Sequence, residues 1–337
     1  MMNGFTAFAV VALLATPAAA QPREQPQAEA QVDEGARWLV GLAEAISVGS
    51  ESARALNQSM QALVAQPLTR ERIAAATPTM RAQIERARGD VRKSNAMLDA
   101  LPSLSPAVAR EMQPDQHIRD VRAHNERLLG FLDASDAFVI AMGKGDSPGM
   151  ERSLPRMLEG SFDMLNQQRL LIRARQASAP ETDSSYQSLG VAGQLYRAME
   201  AVLRGSVAVR LGSEAEGTKA AAAAQEELRL VARDTRALAV AGRRNLAREM
   251  AEIDAERRAG KAAETGMMDR IRSAYAEEER VFALADRLAA LTDADGAITA
   301  AQLRAVGAAS AMAPLRPLEQ ELIAITAHQA DLLAGVE

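Results

Sequence analysis

The sequence predicts an all-α protein built of elongated antiparallel helical bundles, and three observations carry that reading. Of its 337 residues 71 are alanine, the best helix former, so nearly half of the 48% hydrophobic content is the smallest apolar side chain. Aromatic residues amount to 3%, which leaves a sheet without the Tyr, Phe and Trp that usually line it. Apolar residues also recur at alternating steps of three and four over long stretches, the spacing of one helix face packed against its neighbours.

The first 20 residues carry no charge. Residues 5–15 are an apolar run, Pro17 ends it, and Ala18, Ala19 and Ala20 precede Gln21, which predicts a secretory signal peptide over 1–20 cleaved before Gln21. The run is too short for a spanning helix, which needs about 20 apolar residues. Residues 21–31, with Pro22, Pro26 and many polar neighbours, read as a flexible leader. The absence of cysteine excludes a disulfide framework and a lipoprotein attachment site. A periplasmic or secreted location is expected.

Three heptad seams follow. Leu39, Leu42, Ile46, Gly49, Ala53, Leu56, Met60 and Leu63 form the first, and Met80, Ile84, Ala87, Val91, Ser94, Leu98 and Leu101 the second. Ile118, Val121, Asn125, Leu128, Leu132, Ser135, Val139 and Met142 form the third. Small or polar members such as Gly49, Ala87 and Ser135 let helices approach closely, so the seams predict antiparallel neighbours. Thr77-Pro78, Ser105-Pro106 and Ser147-Pro148 each offer a hydroxyl cap before a proline at the first helical position. Ser184 with Gln187 and Thr299 with Gln302 have capping-box spacing. Helices are therefore expected near 34–66, 78–101, 106–143, 148–178, 185–212, 217–260, 264–292 and 300–334, with Pro114, Pro155, Pro314 and Pro317 kinking or splitting theirs. The helix from 185 is apolar on two faces and should be the most buried.

The polar, turn-rich stretch 176–185 divides these helices four and four, which predicts two four-helix bundles in tandem, 32–178 and 179–337. Residues 21–178 hold 20 basic and 20 acidic side chains and 179–337 hold 19 and 24, so the net charge of -5 lies in the second half. That balance gives no excess positive charge for a phosphate backbone and argues against nucleic acid.

Motifs that carry chemistry are few. Residues 212–219 (GSEAEGTK) resemble a phosphate-binding loop, but Thr218-Lys219 is reversed, no strand precedes it, and Glu214 and Glu216 repel phosphate; it reads as a turn between helices. Asp293, Asp295, Gly296 and Ile298 match the middle of a calcium loop, whose end ligands are replaced by Leu291 and Gln302. His117, Asp120 and His124 share one helical face, yet the two histidines lie about 10.5 Å apart along the axis, too far for one ion without a second helix. His328 stands alone, Trp38 reads as packing, and Glu277-Glu278-Glu279, Arg243-Arg244 and Arg257-Arg258 read as solvated charge. The sequence therefore names no catalytic, cofactor-binding or metal-ligating residue.

The expected function is that of an exported, non-enzymatic helical-bundle protein of the bacterial cell envelope that binds or scaffolds another protein, or self-associates, through helix faces. A bundle that holds or senses a small ligand between its helices is the alternative. The first helix, with its uninterrupted seam and Trp38 beside it, is the expected partner-facing element.

Overall fold

The seams become buried helix faces. The computed structural model describes residues 34–35, 37–38, 41–42, 44–49, 56, 69–258, 265–293, 298–305 and 312–334, and among these every regular element is helical. The signal peptide over 1–20, the leader over 21–31 and the seam positions Leu39, Ala53, Met60 and Leu63 lie outside the described residues. The chain divides into two compact units, Met1–Gln167 and Gln168–Glu337. No helix among the described residues is long and apolar enough to cross a membrane.

In the first unit a leading helical segment within 34–49 precedes α1 (Arg70–Asp99), the short α2 (Pro106–Met112), α3 (Pro114–Lys144) and the first part of α4 (Ser147–Ser178). Met80, Ile84, Ala87, Val91, Ser94 and Leu98 are the buried face of α1, and six members of the third seam, Val121 to Val139, are buried on α3. These faces meet in one apolar cluster that also takes Leu56 and Met157 of α4. Trp38, Leu42, Ala45 and Ile46 close a second cluster against Leu98 and Val121. Beside the apolar seam Arg81 pairs with Asp136 at 3.0 Å and Arg88 with Asp133 at 2.7 Å, ion pairs that link α1 to α3 along their edge.

Three helix starts differ from expectation. α1 begins at Arg70, where the Thr69 hydroxyl accepts from the Arg72 N–H, and runs through Pro78. Pro78 and Ala74 are both exposed, so the Ala74 carbonyl that proline leaves unbonded reaches water. Thr77 does not cap; its hydroxyl donates back to the Ile73 carbonyl at 2.8 Å. The start of α4 is capped by Asp146, whose carboxylate accepts from the Gly149 N–H at 3.0 Å, and the exposed Pro155 is carried inside that helix. Ser105 precedes Pro106 as expected but makes no cap bond, because its hydroxyl donates to Glu34 instead. Pro114 splits the region: Gln113 takes a left-handed conformation with φ 50° between α2 and α3.

The second unit contains the end of α4, α5 (Ser184–Leu211), α6 (Glu214–Arg258), α7 (Thr265–Thr292), the short α8 (Ala300–Ala305) and α9 (Arg316–Ala334). α5 packs on α6, α6 on α7, and α7 on α9 and α5. α5 is buried around most of its circumference, from Val191 and Leu195 to Tyr196, Met199 and Leu203. Gly205 explains how closely α6 approaches: a Cβ there would stand 2.7 Å from the Ala224 Cβ. The division between units falls inside α4 rather than in 176–185, because the last turns of that helix belong with α5. Arg169 pairs with Glu200, Ile172 is fully buried, and the Gln176 side chain donates to the Tyr186 carbonyl at 3.1 Å. Among the described residues the expected last helix is not continuous: α8 and α9 are separate, and Pro314 lies in the turn just before α9.

Candidate functional site

Two buried polar clusters interrupt the apolar seams, one in each unit. In the first unit one small or polar member of each seam, Gly49, Ser94 and Asn125, falls in one layer. Asn125 donates to the Ser94 hydroxyl at 3.1 Å and to Asn95 at 2.7 Å, and Gly49 leaves the room: a Cβ there would meet Ser94 at 3.1 Å. His124, next along α3, is fully buried, and that burial, with Arg127 near, pulls its imidazole down to about 3. It is neutral over the whole physiological range.

The three residues weighed as metal ligands are not brought together. His124 is in the core, His117 is half-buried with its ring 6.2 Å from that of Trp38, and Asp120 accepts from Gln116 at 2.8 Å. Among the described residues no group of three or more His, Asp or Glu is placed to hold a metal ion. In the calcium-like segment Asp293 pairs with Arg236 of α6, while Asp295 and Gly296 lie outside the described residues. The predicted capping box forms after it: Gln302 N–H donates to the Thr299 hydroxyl at 3.2 Å and Thr299 N–H to the Gln302 side chain at 2.9 Å. Of residues 212–219 only Gly212 and Ser213 form the turn from α5, and the rest open α6, where Glu216 accepts from the Ser213 N–H at 2.8 Å, a capping box that sequence reading missed; those bonds hold the Glu216 carboxyl below its usual range.

The second cluster lies where α5 begins. Ser184 was expected to cap locally with Gln187, yet both its groups turn to another helix: its N–H donates to Glu249 Oε1 at 2.8 Å and its hydroxyl to Glu249 Oε2 at 2.5 Å. Gln187 instead donates to the Glu181 carbonyl and accepts from Asn245. Glu278 of α7 is buried beside this pair, and its Oε2, like the Ser188 hydroxyl, has no partner at hydrogen-bond distance. Burial drives its carboxyl up to about 7, with Glu249 and Asp183 adding to the rise and the nearby Ser184 and Ser188 hydroxyls opposing it. Tyr275 is pushed up to about 12 by burial and the same carboxylates, and Glu252 adds to that.

Glu277-Glu278-Glu279 is thus not one solvated face. Glu277 pairs with Arg280 at 2.5 Å, Glu278 is interior, and Glu279 pairs with Arg243 at 2.8 Å. A signal existed: Ala274, Glu278, Val281, Ala285, Leu288 and Thr292 run at steps of four and three and are all buried, so Glu278 occupies a seam position. Glu249 follows Leu246 by three on the matching seam of α6. The chemistry open to this cluster is the holding and release of a proton. Ser184 is bonded to a carboxylate, too weak a base to make a serine nucleophile.

The described seam residues of the expected partner-facing helix, Leu42, Ile46, Gly49 and Leu56, are buried within the first unit, together with Trp38. The exposed counterpart is the outer face of α6. Arg229, Arg233, Arg236, Arg244 and Arg248 project within one arc of that helix, with Val240 in their midst. Val240, 61% exposed, is the one large hydrophobe left open among the described residues. Arg229 pairs with Glu226, Arg233 with Asp234, Arg236 with Asp293, and Arg248 with Glu249 and Glu252. A scan against protein-family models, a search of curated proteins and a search of solved structures each return no match.

Proposed function

We propose that this chain is an exported, non-enzymatic helical protein of the bacterial cell envelope, periplasmic or secreted, whose two units are four-helix bundles in tandem and which works by binding an acidic protein segment. The observation that carries the reading is the arginine face of α6. Five arginines and one exposed valine in a single arc offer what protein interfaces favour, namely guanidinium donors around an apolar point. The pairs of Arg229 with Glu226 and Arg233 with Asp234 lie at the surface, worth about 0–1 kcal/mol each, and a carboxylate-rich partner displaces them at little cost. Export rests on residues 1–20, and the bundles on α5, α6, α7 and α9 in one unit and the leading segment with α1, α3 and α4 in the other.

Affinity capture from envelope extract tests the binding. A stoichiometric protein retained by the wild type and lost with Arg233→Glu/Val240→Asp/Arg244→Glu supports the reading, and equal retention by both contradicts it. Peptide mapping tests export: the mature chain should begin at Gln21, and an intact Met1 terminus on the purified protein contradicts that.

A further inference from the structure

Buried carboxylates in the second unit are treated in two ways. Glu200 is held by Arg169 and by Arg204 at 2.8 Å. Glu278 is buried to the same degree and makes no ion pair with any described residue. The groups that face it are acids and hydroxyls: Asp183, Ser184 and Ser188 from α5, Glu249 from α6, and Tyr275 from its own helix, with Glu252 beside Tyr275. Arg248, the cation beside Glu249, is engaged on the Thr182 carbonyl at 2.5 Å and on Glu249 and Glu252 at 3.6 Å each. On α9 the His328 imidazole addresses Glu277, at 3.8 Å.

Hydroxyl protons are scarce as well. Ser184 has one, and it points to Glu249 at 2.5 Å, so toward Glu278 its oxygen can only accept. Of the other hydroxyls facing it, on Ser188 and Tyr275, the Ser188 oxygen is buried with no partner at hydrogen-bond distance. A carboxylate at this place is short of donors and stands near a second carboxylate. A neutral carboxyl has a proton to offer the Ser184 oxygen, while Ser184 donates to Glu249, which also accepts from the first N–H of α5. No described cation takes the place of that proton.

We propose that the start of α5 is a proton-gated contact: with Glu278 as a neutral carboxyl, the chain Glu278–Ser184–Glu249 ties α5, α6 and α7 together, and departure of that proton to solvent sets two carboxylates against each other across Ser184 and loosens the first turn of α5. The sign follows from the rise of the Glu278 carboxyl from 4.5 to about 7. Between those values the folded chain binds a proton that the unfolded chain has lost, so stability falls as pH rises through that window and is level above it. In an exported protein this couples the contact to external pH. Its one link to the arginine face of α6 is Arg248, which stands 3.6 Å from Glu249.

Thermal unfolding of the full mature chain at pH 5 and pH 8, wild type against Glu278→Gln, is the test. Glutamine keeps the shape and cannot ionise, so the two proteins should differ in how far their midpoints shift between the two pH values by about 5 °C or more, the wild type losing more at pH 8. Parallel shifts overturn the proposal. If Glu278→Gln does not fold, carbon-13 titration of glutamate-labelled wild type decides: one side-chain carboxyl should titrate near 7, and titration of every glutamate in the ordinary acid range overturns it.

Discussion

The two units bury polar side chains at equivalent places, the seam positions of paired helices, but in different electrical states. In the first unit the layer is amide, hydroxyl and neutral imidazole: Asn125 finds both Ser94 and Asn95, and His124 is kept uncharged by burial. In the second it is carboxyl and hydroxyl: Glu249 takes the Ser184 proton, and Glu278 is buried beside them with an oxygen that has no partner at hydrogen-bond distance. The units also share one device. Glu34 takes the N–H and hydroxyl of Ser105 at 2.6 and 2.7 Å, as Glu249 takes those of Ser184, so in each a distant glutamate fixes the serine at a helix start. What differs is the company. A second, buried carboxyl stands beside Ser184, and that makes the same device sensitive to protons.

The largest expected effect comes from removing the shared carboxylate. Glu249→Ala strands the Ser184 N–H and hydroxyl in a buried place and should cost about 3 kcal/mol, read by urea unfolding, because each buried unpaired group costs about 1–3 kcal/mol. A loss below about 1 kcal/mol would mean that water replaces the carboxylate and that the cluster is wetter than its burial indicates. Asn125→Ala in the first unit should cost about 2 kcal/mol on the same grounds, and equally at pH 5 and pH 8, since its partners are neutral. A pH-dependent cost would erase the contrast between the units. His124 should show no imidazole titration by proton NMR until pH falls to about 3. As its pKa is depressed on folding, its contribution is complete above about 6.5 and is lost as pH falls from there toward 3. The smallest effect is a gain: an added Cβ at Gly130 of α3 meets nothing within 4 Å, so Gly130→Ala should stabilise by about 0.5–1 kcal/mol.

The seams made much of the fold legible, since Met80 to Leu98 and Val121 to Val139 face inward as their spacing requires. Gly49, Ser94 and Asn125, one small or polar member of each seam, even meet in one layer. Helix starts were less legible because a local signal competes with partners far along the chain. Ser105 and Ser184 are drawn from local capping by glutamates 71 and 65 residues away, whereas the exposed Thr299 has no such competitor and caps as its spacing indicates. Proline misled for a related reason: whether Pro78 breaks a helix depends on whether its face meets water, which packing decides. Glu278 was hidden in a run of like charges. The heptad that continues through it was the stronger signal, because a seam position on a helix flanked by two others is buried whatever residue occupies it.

Opposite responses to protons are the central consequence of this difference. Acid withdraws the contribution of neutral His124 from the first unit, while alkali withdraws that of the protonated Glu278 from the second. Amide hydrogen exchange of the full chain at pH 5 and pH 8, corrected for intrinsic rates, reads both at once in α3 around His124 and in α5 from Ser184 onward. From pH 5 to pH 8 protection should rise in α3 and fall at the start of α5; protection that moves in the same direction in both helices would contradict the account.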